Sequence, residues 1–204
     1  MAHPYVVVIG NICSGKSTLV NLFSACNRDW YGQPEILSEA QRSSLRGPNT
    51  FSLYASFFAE FYRQRHLFSR TIPGPMIQES CLESSSLFPG VYYQNNCITK
   101  EECSTLELKY SEYIQELPRP DFYIYLNAPL EVLLARAEIR KEPARTVSKL
   151  LLPAMQDRLE KWVGKHVPAD LLFRIQPQDV AADRIDTVLT DLQARLEQLG
   201  KQSA

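Results

Sequence analysis

Little in this chain points to bound zinc, disulfides or a membrane. Its five cysteines (Cys13, Cys26, Cys81, Cys97, Cys103) include no C-x-x-C pair, and its three histidines (His3, His66, His166) are widely scattered. That spacing excludes a zinc module and leaves reduced thiols as small packing residues, the pattern of a cytoplasmic chain. No apolar run approaches a bilayer-spanning length, and Met1-Ala2-His3-Pro4 carries no cationic region, so neither a membrane span nor a signal peptide is expected. Charge of one sign is lacking too. With 22 Lys+Arg against 23 Asp+Glu the formal net charge is -1, which gives no global attraction to nucleic acid or an anionic membrane. Repeats and low-complexity tracts are absent. With 204 residues, 45% of them hydrophobic, the chain reads as one domain, 1–204, frayed only at 200–204.

Against these absences stands one dense signal. The run Gly10-Asn11-Ile12-Cys13-Ser14-Gly15-Lys16-Ser17-Thr18 fits Gly-x-x-x-x-Gly-Lys-Ser. It follows the apolar stretch Tyr5-Val6-Val7-Val8-Ile9 and precedes Leu19-Val20-Asn21-Leu22-Phe23, the setting of buried strand, glycine loop and helix that a phosphate-binding loop requires. Two glycines let the backbone turn its N–H groups toward a phosphate chain, and the helix N-terminus adds partial positive charge. Lys16 can neutralise terminal phosphates, and the Ser17 hydroxyl can ligate Mg²⁺. The stretch predicts a nucleoside triphosphate site, with ATP and Mg²⁺ as its occupants. Cys13 lies inside the loop, where its backbone matters and its thiol could make activity sensitive to oxidation.

Hydrophobic periodicity supplies the rest of the architecture. Strands are expected at 5–9, 30–34, 76–79, 121–126 and 171–175, with helices at 16–26, from an Asn49-Thr50 cap to about 66, 100–117, from 130, 150–163 and 182–199. The polar stretch 38–46 is read as helical. Thr99 followed by Glu102 has the form of a capping box. Alternating strands and helices behind a phosphate loop predict an α/β fold: a three-layer sandwich with a parallel sheet of about five strands and helices on both faces. The ligand is expected at the strand carboxyl ends, Gly10, Gln33, Glu79, Asn127 and Gln176. The aromatic stripe Phe51, Tyr54, Phe57, Phe58, Phe61, Tyr62 reads first as core packing, with base stacking the other reading.

Five segments in order resemble the deoxynucleoside kinase family, within the thymidylate kinase-like P-loop kinases. They are the loop at 10–18, the Gln33-Pro34 turn, the aromatic helix from Phe51, the strand end Ile77-Gln78-Glu79, and Pro120-Asp121-Phe122-Tyr123-Ile124-Tyr125-Leu126-Asn127-Ala128-Pro129-Leu130-Glu131-Val132 with Arg136 and Arg140 beyond it. The resemblance implies a kinase moving the γ-phosphate of ATP to a nucleoside-like hydroxyl. It also implies a lid at about 136–148 and a homodimer, which the periodicity does not itself demand. Lys16 would clamp the phosphates and Ser17 and Glu79 would serve the metal. Arg136 and Arg140 would cover the transferring group, and Gln33 and Tyr54 would face the acceptor.

Three positions depart from the family pattern. Gln33 stands where the family usually has an acid that activates the acceptor hydroxyl, and an amide cannot take that proton; Glu35 is two residues on. Tyr54 stands where a glutamine reads the nucleobase, and the family's acid-Arg-Ser signature reads as Glu79-Ser80-Cys81, or as Glu79-Ser80 with the arginine deleted. These changes point to an acceptor other than an ordinary free deoxynucleoside. A hydroxymethyl pyrimidine in a nucleotide or in modified DNA is one alternative, and a non-catalytic nucleotide-binding subunit is another. Two basic groups stay open: Arg136, Arg140, Lys141 and Arg145 as lid or exposed helix end, and Arg63, Arg65, His66 and Arg70 as solvated face or phosphate contact.

Overall fold

The computed structural model describes residues 3–35, 50–139, 145–176 and 185–202. Five strands form one sheet: β1 Tyr5–Gly10, β2 Tyr31–Gln33, β3 Met76–Glu79, β4 Phe122–Leu126 and β5 Leu172–Ile175. Their spatial order is β2-β3-β1-β4-β5 and every pairing is parallel. The expected sandwich is therefore present. Helices cover both faces of the sheet at β1, so its Val-Val-Val-Ile run is buried on either side, which is why it reads as continuous rather than alternating. Chain direction across the sheet reverses at β1, leaving a crevice at its carboxyl end.

Side-chain alternation along β1 divides the core into layers. Val6 and Val8 pack with Leu19, Val20 and Phe23 of α1 (Lys16–Cys26) and with Val188, Leu189, Leu192 and Leu196 of the last helix. Tyr5, Val7 and Ile9 point the other way, onto Leu159 and Val163. The long helix α2 (Thr50–Thr71) buries Tyr54, Phe57, Phe58 and Phe61 against Val91, Tyr92 and Leu106. A fourth cluster joins the glycine loop to two helices through Cys13, Leu133, Ala137 and Leu152.

Several element boundaries differ from expectation for identifiable reasons. Helix α2 continues past His66 to Thr71, because Phe68 packs beneath Tyr31 with ring centroids 5.6 Å apart; Pro73 then follows. Two short helices, α3 (Leu82–Ser85) and α4 (Phe88–Gln94), fill a stretch without clear periodicity, the first held by a Cys81–Ser84 capping box. Helix α5 (Lys100–Tyr113) starts at the Thr99–Glu102 box as expected but stops short of 117 in a turn. Pro129 precedes α6 (Leu130–Ile139). Helix α7 (Arg145–His166) begins earlier than 150 and carries Pro153 inside it. The last helix, α8, spans Ile185–Gln202. The Asn49 cap, the stretch 38–46 and Arg140 with its neighbours to 144 lie outside the described residues.

Candidate active site

The loop between β1 and α1 is built on backbone that most residues avoid. A Cβ on Gly10 would lie 2.6 Å from Ser14 Oγ and 3.0 Å from the Leu126 carbonyl oxygen, so only glycine fits against β4. Gly15 has φ +102° immediately before Lys16, and Cys13 has φ +64°. Glycine adopts such a φ freely, but for Cys13 it persists only where the surroundings hold it, and positions of that kind cluster at functional sites. Among the described residues no side chain caps α1, and its first turn carries no acid. Its leading amides thus keep their partial positive charge for an anion.

Lys16 folds back across this loop, Nζ donating to the Asn11 carbonyl at 3.0 Å, and the Ser14 N–H donates to the same oxygen at 3.2 Å. Arg136 approaches from α6 and donates through Nη1 to the Ser14 carbonyl at 3.1 Å. The parallel register β1–β3 sets Glu79 opposite Val8, at the mouth of the crevice. There its carboxylate, 3% exposed, accepts from Ser17 Oγ at 3.0 Å and from the Glu35 N–H at 3.3 Å. Ser80, the next residue, has φ +63°, and its N–H donates to the Val8 carbonyl at 2.9 Å. Lys16, Ser17, Glu79 and Arg136 thus meet around one loop although they come from three separate parts of the chain.

Gln33 ends β2 on the same rim, paired in register with Gln78. Its Nε2 donates to Gln64 Oε1 at 3.2 Å, and Gln64 Nε2 donates to Glu60 Oε1 at 2.7 Å. Hydrogen bonds from Arg63 and then Gln64 hold the Glu60 carboxyl down at about 2, so it stays an acceptor. That polarity orients both amides in sequence and leaves the Gln33 carbonyl oxygen as the group it can offer to a hydroxyl.

Tyr54 lies in the aromatic core. It is 2% exposed, its hydroxyl donates to the Ser85 carbonyl at 2.6 Å, and its ring packs on Phe57, Phe58, Phe88 and Tyr92. Burial pushes its phenol well above the ordinary range, so it stays a neutral donor. The basic run on α2 does not form one surface either. Arg63 pairs with Glu60, whereas Arg65 is buried, paired with Glu83 at 3.0 Å and stacked 4.8 Å over Tyr5. Sequence reading missed Gln64, Glu60, Leu152 and Gln156, whose contacts to the rim and loop are read only from the folded chain.

A phosphate loop behind the central strand of an all-parallel sheet, with a buried carboxylate on its serine, defines a P-loop α/β protein of the nucleotide-binding class. The family model for deoxynucleoside kinases matches residues 6–197, and the chain belongs to that family. A deoxyadenosine/deoxycytidine kinase of Bacillus subtilis (strain 168) is 25% identical over 138 residues, 66% of this chain and 64% of the relative. The match thus spans just under two thirds of that relative's length. Deoxyadenosine kinase from M. mycoides with bound dCTP has the same fold, with a TM-score of 0.72 at 17% identity over 93% of this chain and 99% of that one. The M. mycoides enzyme with bound dATP gives a TM-score of 0.74 at 16% identity over the same shares.

Proposed function

We propose that this chain is a kinase that transfers the γ-phosphate of ATP to a hydroxyl of a nucleoside-like acceptor. The observation that carries the reading is the Ser17–Glu79 contact at 3.0 Å beside Lys16, an arrangement with no evident packing purpose. A hydroxyl and a carboxylate at that spacing form the oxygen donor set that Mg²⁺ prefers, and these two residues would hold it. The metal would neutralise charge on the phosphates. Lys16 gives up the Asn11 carbonyl and neutralises the terminal phosphates, while the amides leading α1 bind their oxygens. Arg136 reaches over the loop from α6, and the family resemblance gives Arg140 the same covering role.

On the acceptor side, Gln33 accepts a hydrogen bond from the hydroxyl and orients it without removing its proton. Phosphoryl transfer leans mainly on positioning and electrostatics, and a general base contributes roughly 10²–10⁴-fold. Turnover is therefore slowed rather than abolished, and an acceptor hydroxyl more acidic or better fitted than that of a plain deoxynucleoside suits the site. The same reading has the molecule acting in the cytoplasm as a homodimer of single-domain subunits. Among the described residues no helix is long and apolar enough to cross a membrane.

Incubation with γ-labelled ATP, Mg²⁺ and a panel of deoxynucleosides, nucleotides and base-modified DNA tests the assignment. Label in a nucleoside supports it. Label confined to DNA moves the activity to base modification. Nucleotide binding without transfer to any acceptor overturns the kinase reading in favour of a binding subunit.

A further inference from the structure

We infer that the Asn11 side chain is a positioning residue, clamping the phosphate loop to α7 through Leu152 and Gln156 instead of contacting phosphate. The inference rests on the proposed ATP site. Asn11 is 2% exposed. Its Nδ2 donates to the Leu152 carbonyl at 2.9 Å and to Gln156 Oε1 at 3.0 Å, and its Oδ1 accepts the Ile12 N–H at 2.8 Å. Both amide protons are thus spent inside the protein, leaving none for a phosphate oxygen. Gln156 continues the chain, its Nε2 facing Asn127 Oδ1 at 3.4 Å beyond the end of β4. The donor and acceptor directions agree at each step.

The clamp answers a need that the loop creates. With Cys13, a non-glycine residue, at φ +64°, the loop holds a conformation that this residue does not itself favour. Packing of Cys13 with Leu152, Leu133 and Ala137 holds it by shape, and Arg136 Nη1 holds it from α6 through the Cys13 and Ser14 carbonyls at 3.4 and 3.1 Å. Asn11 adds direction: one end of its side chain is tied to a helix, the other to the next amide of the loop. Its backbone carbonyl meanwhile holds Lys16 and Ser14. A loop prealigned in this way loses less freedom when a polyphosphate arrives, and the saving appears as affinity.

The test is a double-mutant cycle on the full chain with Asn11→Ala, Gln156→Leu and the pair. Mg-ATP affinity is measured by calorimetry at 25 °C, KM and kcat by labelled transfer, and folding by thermal melts. Asn11→Ala is expected to weaken ATP about tenfold and to raise KM for ATP equally, with acceptor KM unchanged. Gln156→Leu is expected to weaken it about threefold, and the pair to be no weaker than Asn11→Ala alone. A lowered melting temperature with unchanged ATP affinity makes the contact merely structural and overturns the inference. Effects that multiply in the pair overturn it as well. Should Asn11→Ala not fold, unchanged affinity in Gln156→Leu is sufficient to refute it. Wild-type protein that binds no ATP is a distinct outcome: it removes the proposed function first, and this inference with it.

Discussion

Replacing Gln33 with glutamate bears most directly on the acceptor side. Gln33 Nε2 donates to Gln64 Oε1 at 3.2 Å, so a carboxylate there would face that oxygen as a second acceptor. Gln64 must then turn its amide, and its Nε2 leaves Glu60 Oε1, 2.7 Å away. The variant loses two neutral hydrogen bonds, the second from Gln33 Nε2 to the Pro34 carbonyl at 3.4 Å, and one to a charged acceptor, and regains one from Gln64 to the new carboxylate. The net cost is about 1–2 kcal/mol. For a chain of this size that lowers the melting temperature by about 2–8 °C. Against this small loss stands a general base placed where the family usually has one. Allowing for imperfect placement, acceptor kcat/KM is expected to rise at least about tenfold, the low side of the usual 10²–10⁴. The gain requires the ionised carboxylate, so it vanishes as pH falls through a value at or above the ordinary ~4.3, since Glu79 and Glu35 lie nearby. Labelled transfer at saturating ATP between pH 4.5 and 8, alongside a thermal melt, reads both effects. A melting temperature lowered as expected with no change in rate at any pH would refute the reasoning, because position 33 would then not face the reacting hydroxyl.

Three further outcomes are expected. Glu79→Gln keeps the shape of the side chain but removes the charge that accepts from Ser17 and the Glu35 N–H, and labelled transfer should fall by at least about 10²-fold while ATP binding weakens less. Gly10→Ala drives a methyl group to 2.6 Å from Ser14 Oγ and 3.0 Å from the Leu126 carbonyl; chemical denaturation should register a loss of about 1–3 kcal/mol, with weaker ATP binding by calorimetry. The Glu60 carboxyl is lowered from 4.5 to about 2, so its contribution to stability is full above the unfolded value and is lost as pH falls through about 2. Melts of Glu60→Gln against wild type should therefore converge toward pH 2 and separate above about 4.5, by a small margin because the pair is solvent-exposed.

What the sequence made legible was local. Strand, glycine loop and helix N-terminus occupy one short span, so composition and order sufficed to read 5–26. The Thr99–Glu102 capping box was legible for the same reason, its two hydrogen bonds closing within three residues. Arg65 shows where such reading stops. Surrounded by Arg63, His66 and Arg70 it looks like part of a solvated face, yet the inward row Tyr54, Phe58, Phe61 continues at 65. Its charge is tolerated there because Glu83 and the Tyr5 ring, distant in sequence, meet it. Tyr54 belongs to the same row, and its place in the core follows from helix phase rather than from the family pattern. Helices α3 and α4 were missed because four and seven residues are too few to establish a period. The clamp on Asn11 closes over 141 residues to Leu152 and 145 to Gln156, a separation at which pattern carries no information.

Calorimetric titration of the wild type and Lys16→Ala with Mg-ATP tests the central claim most directly. The wild type is expected to bind at micromolar to low-millimolar concentrations, and Lys16→Ala to bind at least about tenfold more weakly, with labelled transfer lost. No heat from the wild type at millimolar nucleotide, or equal affinity in the two proteins, would contradict it.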